Sequence, residues 1–271
     1  MKLVITSAYN KSLHSIALMK TLSDSGHEIV GCLQVKTLQL SRFRKYAKQY
    51  GSSILIKKIK SRLFNEKNNF SDELIPIKKY MRDKNINEIT VSKYCSKNNI
   101  KLININSLNN FKAVNFLKCN NVDLLVYSGG GILRKKIINA SKYGVINAHS
   151  GYLPYFRGMN VVEWSLLYKF IPYTTIHFID SGIDTGNILI REPLKIDKNL
   201  YYTRGQATLH NIILLNKVLG NFSLYKNKSI KQKHEVGKQF FIMHNRLKNI
   251  LIASLKKNET MHYDDDYENF K

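Results

Sequence analysis

Proline, tryptophan, cysteine and acidic residues are all scarce in this chain of 271 residues. The three cysteines, spread as Cys32, Cys95 and Cys119, rule out a disulfide framework, and no C-x-x-C pair offers a metal knuckle. Reduced thiols and no metal are therefore expected. The four prolines and single tryptophan accompany an abundance of Lys, Asn and Ile, a bias of the kind that a genome's nucleotide composition imposes. Long apolar runs are missing too. Lys or Asn interrupts every stretch that approaches the ~20 apolar residues of a membrane-spanning helix. Residues 1–6 are mostly apolar but too short for a secretory signal, and polar Ser7 and Asn10 follow in place of a small-residue cleavage site. A soluble, cytoplasmic protein is the expectation. No internal repeat or low-complexity linker interrupts the chain.

The shortage of acid is the largest imbalance: 43 Lys+Arg against 19 Asp+Glu, a formal net charge of +24. Such a surplus suits a nucleic-acid partner, an anionic membrane surface or a phosphorylated substrate, and equally a surface kept soluble by lysine. Total charge does not choose among them. Hydrophobic residues make up 44% of the chain, enough for a core, and the length allows one large domain or one domain with a smaller appendage.

Strands and helices alternate along the sequence. Residues 2–6 read as a strand and 7–12 as a polar turn; Leu13, Ile16, Ala17, Leu18 and Leu22 then recur at helical spacing before a second strand at 29–33. This βαβ unit builds an α/β fold with a mostly parallel sheet and a ligand crevice beyond the strands' carboxyl ends. Between Lys36 and Lys67 ten cations stand against the single acid Glu66, with Phe43, Tyr46, Tyr50 and Ile54 among the interleaved apolar residues. This basic insert reads as a solvated helical hairpin, or as a contact for an anionic membrane surface or acidic macromolecule. Residues 71–99 are polar, with 86–90 and 91–97 as helix or loop material. Further strands are expected at 101–105, 121–127, 144–149 and 174–180, and helices at 133–138 and around Trp164. Residues 206–218 and 246–255 have helical spacing, and Asp264, Asp265 and Asp266 read as a frayed acidic terminus.

The chemistry gathers after the fourth and fifth of these strands. The run Ser128, Gly129, Gly130 and Gly131, leading into Ile132 and Leu133, permits positive φ and close approach of backbone to a flat or anionic ligand. Asn147 and His149 stand two apart on a strand and so point to the same face, where both address one ligand atom. A loop with Tyr152, Arg157 and Gly158 follows. Some thirty-five residues beyond His149, Asp180 and Ile183 lead to Asp184 in a glycine-bounded turn, from which its carboxylate reaches the imidazole if the two strand ends lie side by side. His177 reads as a structural histidine.

The N-x-H strand end, the L-P-x-x-R-G loop and the I-D-T-G turn together closely resemble the formyltransferases that use 10-formyltetrahydrofolate: glycinamide ribonucleotide formyltransferase, methionyl-tRNA formyltransferase and the sugar N-formyltransferases. The resemblance covers roughly residues 2–195, with a gap at the basic insert. It implies a Rossmann-like, mostly parallel sheet with flanking helices plus a smaller helical C-terminal region. The catalytic domain would span residues 1–200, carrying the insert at about 36–70, with a C-terminal helical extension over 201–271. It also implies Asn147 as an oxyanion donor, His149 as its partner in proton transfer, and Asp184 as the group that orients the histidine and a water. The pterin would lie against residues 128–133 and 180–184, with a hydroxyl at Thr175. Acceptor contacts would come from Ser7, Asn10, Tyr152, Arg157 and Gly158. Two departures stand out: Ser150, Gly151 and Tyr152 replace the Pro-Ser-Leu of many members, and residues 7–12 replace the purine enzyme's phosphate loop.

For the acceptor, about seventy-five residues follow Lys195 and read as helical, whereas a methionyl-tRNA enzyme carries a C-terminal β-barrel. The expected acceptor is therefore anionic and small, a nucleotide-linked amino sugar, with no stable nucleic-acid partner. The methionyl-tRNA and glycinamide ribonucleotide activities are the alternatives, and a non-catalytic basic module binding membrane or nucleic acid is a reading of another class. A homodimer through the C-terminal helices is left open.

Overall fold

Lys2–Ser7 forms β1, an almost wholly buried strand at the middle of a seven-stranded sheet in the computed structural model, which describes residues 1–36, 70–233, 235–257, 263–267 and 270. The insert between Lys36 and Lys67 lies, except for Lys36, outside the described residues. The other strands are β2 (Glu28–Val35), β3 (Lys101–Ile105), β4 (Leu124–Tyr127), β5 (Val145–His149), β7 (Tyr173–Phe178) and β8 (Ile188–Pro193), in the order β3-β2-β1-β4-β5-β7-β8. β1 to β5 are parallel, β7 pairs antiparallel with β5, and β8 pairs antiparallel with β7. The order reverses between β1 and β4, which leaves a crevice at their carboxyl ends.

Helices cover both faces because successive strand residues point alternately to each. On one face α1 (Leu13–Asp24), α2 (Phe70–Asp83), α3 (Val91–Lys97) and α7 (Leu200–Gly220) pack on Leu3, Ile5, Ile146 and Ile176. Ser12 caps α1 by accepting from the Ser15 N–H. On the other face α4 (Phe111–Cys119) and α5 (Lys135–Ile138) cover Val4, Leu33, Leu125 and Val145. The rest of β5 and β7 on that face is left to loops.

Those loops form a small second layer. β6 (Phe156–Gly158) pairs in parallel with β9 (Lys238–Phe240), and α6 (Val161–Leu167) follows β6. The expected C-terminal helices are α7, α8 (Phe222–Asn227) and α9 (Asn245–Lys256). Packing crosses the expected boundary at residue 200, however. Ile212, Leu214, Leu215 and Val218 of α7 belong to the main core, so the helix packs as a layer on the sheet. The frayed acidic end is corrected: Asp264 exchanges backbone hydrogen bonds with Lys169 and Ile171, and Tyr267, 2% exposed, stacks on Tyr152 at 3.9 Å.

Candidate active site

Asn147 and His149 share a face of β5 with Val145 but lie past the part that α4 and α5 cover, and the antiparallel register sets His177 of β7 opposite Asn147 and Thr175 opposite His149. Paired residues share a face, so His177 joins the site that the sequence denied it. Its Nδ1–H donates to the Phe178 carbonyl at 2.8 Å, which leaves Nε2 as acceptor for the Asn147 amide at 3.2 Å. Burial lowers the His177 pKa to about 4, against the opposing pull of Asp184, so the ring stays neutral and keeps that lone pair. One N–H of Asn147 is thereby pinned, and the amide plane is fixed with its second N–H directed elsewhere.

His149 is 7% exposed, and its Nε2–H donates to the Phe156 carbonyl at 2.7 Å. That bond fixes the tautomer and turns Nδ1 toward Asp184 Oδ2, 3.6 Å away. Asp184 does not arrive from a neighbouring strand end as expected. Because β7 is antiparallel, its following turn starts near Val145, where Ile179 N–H bonds to the Val145 carbonyl, and residues 180–186 fold back over the face. Asp180 Oδ1 shapes that turn by accepting from Gly182 N–H and the Thr185 hydroxyl, and Gln232 ties the Asp184 and Gly186 carbonyls. Asp184 itself sits at φ 54° and accepts from the Gly158 N–H at 2.9 Å. Burial works to raise its carboxyl, but His149, His177, the Gly158 N–H and Arg157 outweigh it and hold it below the ordinary aspartate range.

Two cavities meet at this cluster. The larger, about 490 Å³, is mostly apolar: Ile132, Leu133, Ile179, Ile183, Phe240 and Phe241 line it, with Tyr127, Asn147, His177, Asp180 and Asp184 as its polar groups. The smaller, about 240 Å³, is bounded by His149, Ser150, Gly158, Asn160, Glu73, Glu163, Arg204 and Thr208. Gly158 borders both cavities. It sits at φ 98° beside Phe240.

Of the residues expected to hold the flat ligand, Gly131, Ile132, Leu133, Asp180 and Ile183 line the large cavity, and all three glycines adopt positive φ. The others do not line it. Ser128 turns inward, bonding His14 Nδ1 and the Ser15 hydroxyl; Gly129 gives its carbonyl to Thr6; Gly130 lies against Leu108. Thr175 is fully buried and donates to the Gly151 carbonyl, so it braces the loop after β5. Among the expected acceptor contacts only Gly158 lines the small cavity. Ser7 is fully buried, Asn10 accepts from Ser92 N–H, Tyr152 lies in the aromatic stack with Tyr267, and Arg157 acts on Asp184 from beside it. The groups that the sequence reading missed are Glu73, Glu163 and Arg204. Arg204 binds both carboxylates, at 3.1 Å from Glu73, and Glu163 is 1% exposed and also accepts from Asn160.

The sequence model of the family described as formyl transferase matches residues 59–212, more than half of the chain. The chain belongs to the formyl transferase family. A methionyl-tRNA formyltransferase of Clostridium tetani (strain Massachusetts / E88) is 34% identical over 137 residues, covering 49% of this chain and 43% of that protein. The chain thus spans less than half the length of this relative. Among solved structures, phosphoribosylglycinamide formyltransferase from Bacillus halodurans superposes with a TM-score of 0.54 at 14% identity, over 82% of this chain and 95% of that one. A sugar 3N-formyl transferase, solved in the presence of dTDP and 5-N-formyl-THF, superposes at 0.52 with 17% identity, over 89% and 69%. At such identities the two structures establish a shared fold. Within this formyl transferase, Asn147, His149, His177 and Asp184 all fall inside the family match, whereas Phe240 and Phe241 lie beyond it.

Proposed function

We propose that the protein is an N-formyltransferase that moves the formyl group of 10-formyltetrahydrofolate to the amine of a nucleotide-linked amino sugar. The observation that carries this reading is the position of Asn147, His149, Asp184 and Gly158 where two cavities of different character meet. The large cavity suits the donor: its apolar walls accept a flat pterin and benzoyl group, and Asp180 and the positive-φ Gly131 offer polar contact at its edge. The small one suits a hydroxylated, amine-bearing ring, for its lining is rich in hydrogen-bonding groups. Its charged lining is two carboxylates and one guanidinium, so the phosphates of such an acceptor lie outside it. Glu73, whose carboxylate is shared with Glu163 on Arg204, faces an incoming ammonium.

The acceptor nitrogen attacks the formyl carbon, the carbonyl oxygen takes up negative charge, and the free N–H of Asn147 meets it. His149, fixed by the Phe156 carbonyl and facing Asp184, carries the proton that leaves the amine. The bond between N10 and the formyl carbon breaks, N10 gains a proton, and the products are the formamide and tetrahydrofolate. The test is tetrahydrofolate release from 10-formyltetrahydrofolate with a panel of nucleotide-linked amino sugars, formyl-methionyl-tRNA formation and glycinamide ribonucleotide formylation serving as the competing assays. Release that depends on an amino sugar and disappears in His149→Ala is the expected result. Turnover of charged tRNA or glycinamide ribonucleotide alone overturns the acceptor assignment, and an inert protein that binds RNA tightly overturns the enzymatic one.

A further inference from the structure

We infer that residues 238–243, from the part of the chain beyond the family match, form a wall of the donor cavity, with Phe241 packing on the bound folate and Trp164 positioning it. The inference rests on reading the large cavity as the 10-formyltetrahydrofolate site. Gln239, Phe240 and Phe241 line that cavity together with Ile132, Met159 and Ile183. Four of these apolar side chains remain solvent-exposed: Phe241 at 71%, Ile132 at 79%, Met159 at 55% and Ile183 at 46%. A set of large exposed apolar groups around one cleft is costly in water and is relieved when a flat aromatic ligand covers it.

The segment is held in place by its backbone, which leaves the exposed Phe241 ring to face the ligand. Lys238 N–H donates to the Tyr155 carbonyl, Met159 N–H to the Phe240 carbonyl, and Met243 N–H to Asn160 Oδ1. The Trp164 indole N–H donates to the Phe241 carbonyl at 2.8 Å, and its ring packs on Phe240 at 5.2 Å. Trp164 is the only tryptophan of the chain, so its emission reports on this one ring and its surroundings, which the segment helps to form.

The experiment titrates wild type, Phe241→Ala and Phe241→Leu with 5-formyltetrahydrofolate, a donor analogue that does not transfer its formyl group, by calorimetry and by Trp164 emission corrected for ligand absorbance. The wild type binds with a change in Trp164 emission. Phe241→Ala weakens binding roughly tenfold, the worth of one aromatic contact, and Phe241→Leu recovers part of it. Thermal midpoints stay at the wild-type value, since Phe241 is exposed. Wild-type affinity in Phe241→Ala, or calorimetric binding without any Trp164 response, overturns the inference while the donor-site reading stands. Absence of wild-type binding at millimolar analogue overturns the donor-site reading itself.

Discussion

The neutral state of His177 decides what Asn147 can do. An imidazolium has no lone pair to offer, so a protonated His177 would release the amide; its pKa of about 4 keeps the acceptor available at neutral pH. Two substitutions separate the roles. On the proposed mechanism, Asn147→Ala removes the donor to the oxyanion and should lower kcat by about 10²–10³. His177→Leu removes the group that orients the amide, and with it one of the neighbours that hold Asp184 ionised, and should lower kcat by the smaller factor of roughly fivefold, near the ~1 kcal/mol of one hydrogen bond. Steady-state kinetics with varied folate check both. Equal losses would make His177 more than a positioning residue. Asn147 and His149 were legible in the sequence because they stand two apart on one strand and so share a face. His177 was not, since its role comes from an antiparallel register between strands separated by the loop and helix of residues 150–172.

The elements explain the remaining misreadings. Phe70–Asp83 is polar overall and carries Pro76 inside it, which hides a helix whose buried Ile77 and Met81 dock beside α7. The two strands of the β6–β9 layer are three residues each, too short for periodicity to register. That layer nevertheless joins both halves of the site through Gly158, whose N–H holds Asp184 and whose backbone lies against Phe240. A Cβ at Gly158 would stand 2.2 Å from the Phe240 carbonyl oxygen, at a φ of 98° that alanine rarely adopts. Gly158→Ala should therefore separate β9 from β6, at a cost of about 1–3 kcal/mol for the strained backbone. The expected signs are a lower thermal midpoint, Trp164 emission shifted toward that of exposed indole, and a raised donor KM. Wild-type emission and stability together would show that the two strands are not coupled.

For the molecule as a whole, the net charge of +24 and the buried histidines make acid destabilising by two routes that can be told apart. His14 and His177 are both lowered by burial from 6.5 to about 4. Above pH 6.5 both are neutral in the folded and unfolded chain, and neither opposes folding. As the pH falls from 6.5 toward 4, the unfolded chain takes up protons that the folded one refuses, so stability declines through that window and levels off below it. For His177 the shift corresponds to about 3 kcal/mol. Over the same range the chain becomes still more positive, and self-repulsion adds to the loss. Salt separates the routes. Repulsion between exposed charges is screened over about 10 Å at 0.1 M ionic strength, whereas the protonation of a ring buried in the folded state is not. Denaturant unfolding measured from pH 7 to pH 4 should show a loss that added salt reduces but does not abolish, and the salt-resistant part should shrink by about 3 kcal/mol in His177→Leu. If salt restores the full stability at pH 4, or if His177→Leu follows the wild-type pH curve, His177 is not held neutral in the fold, and its part in orienting Asn147 fails with it.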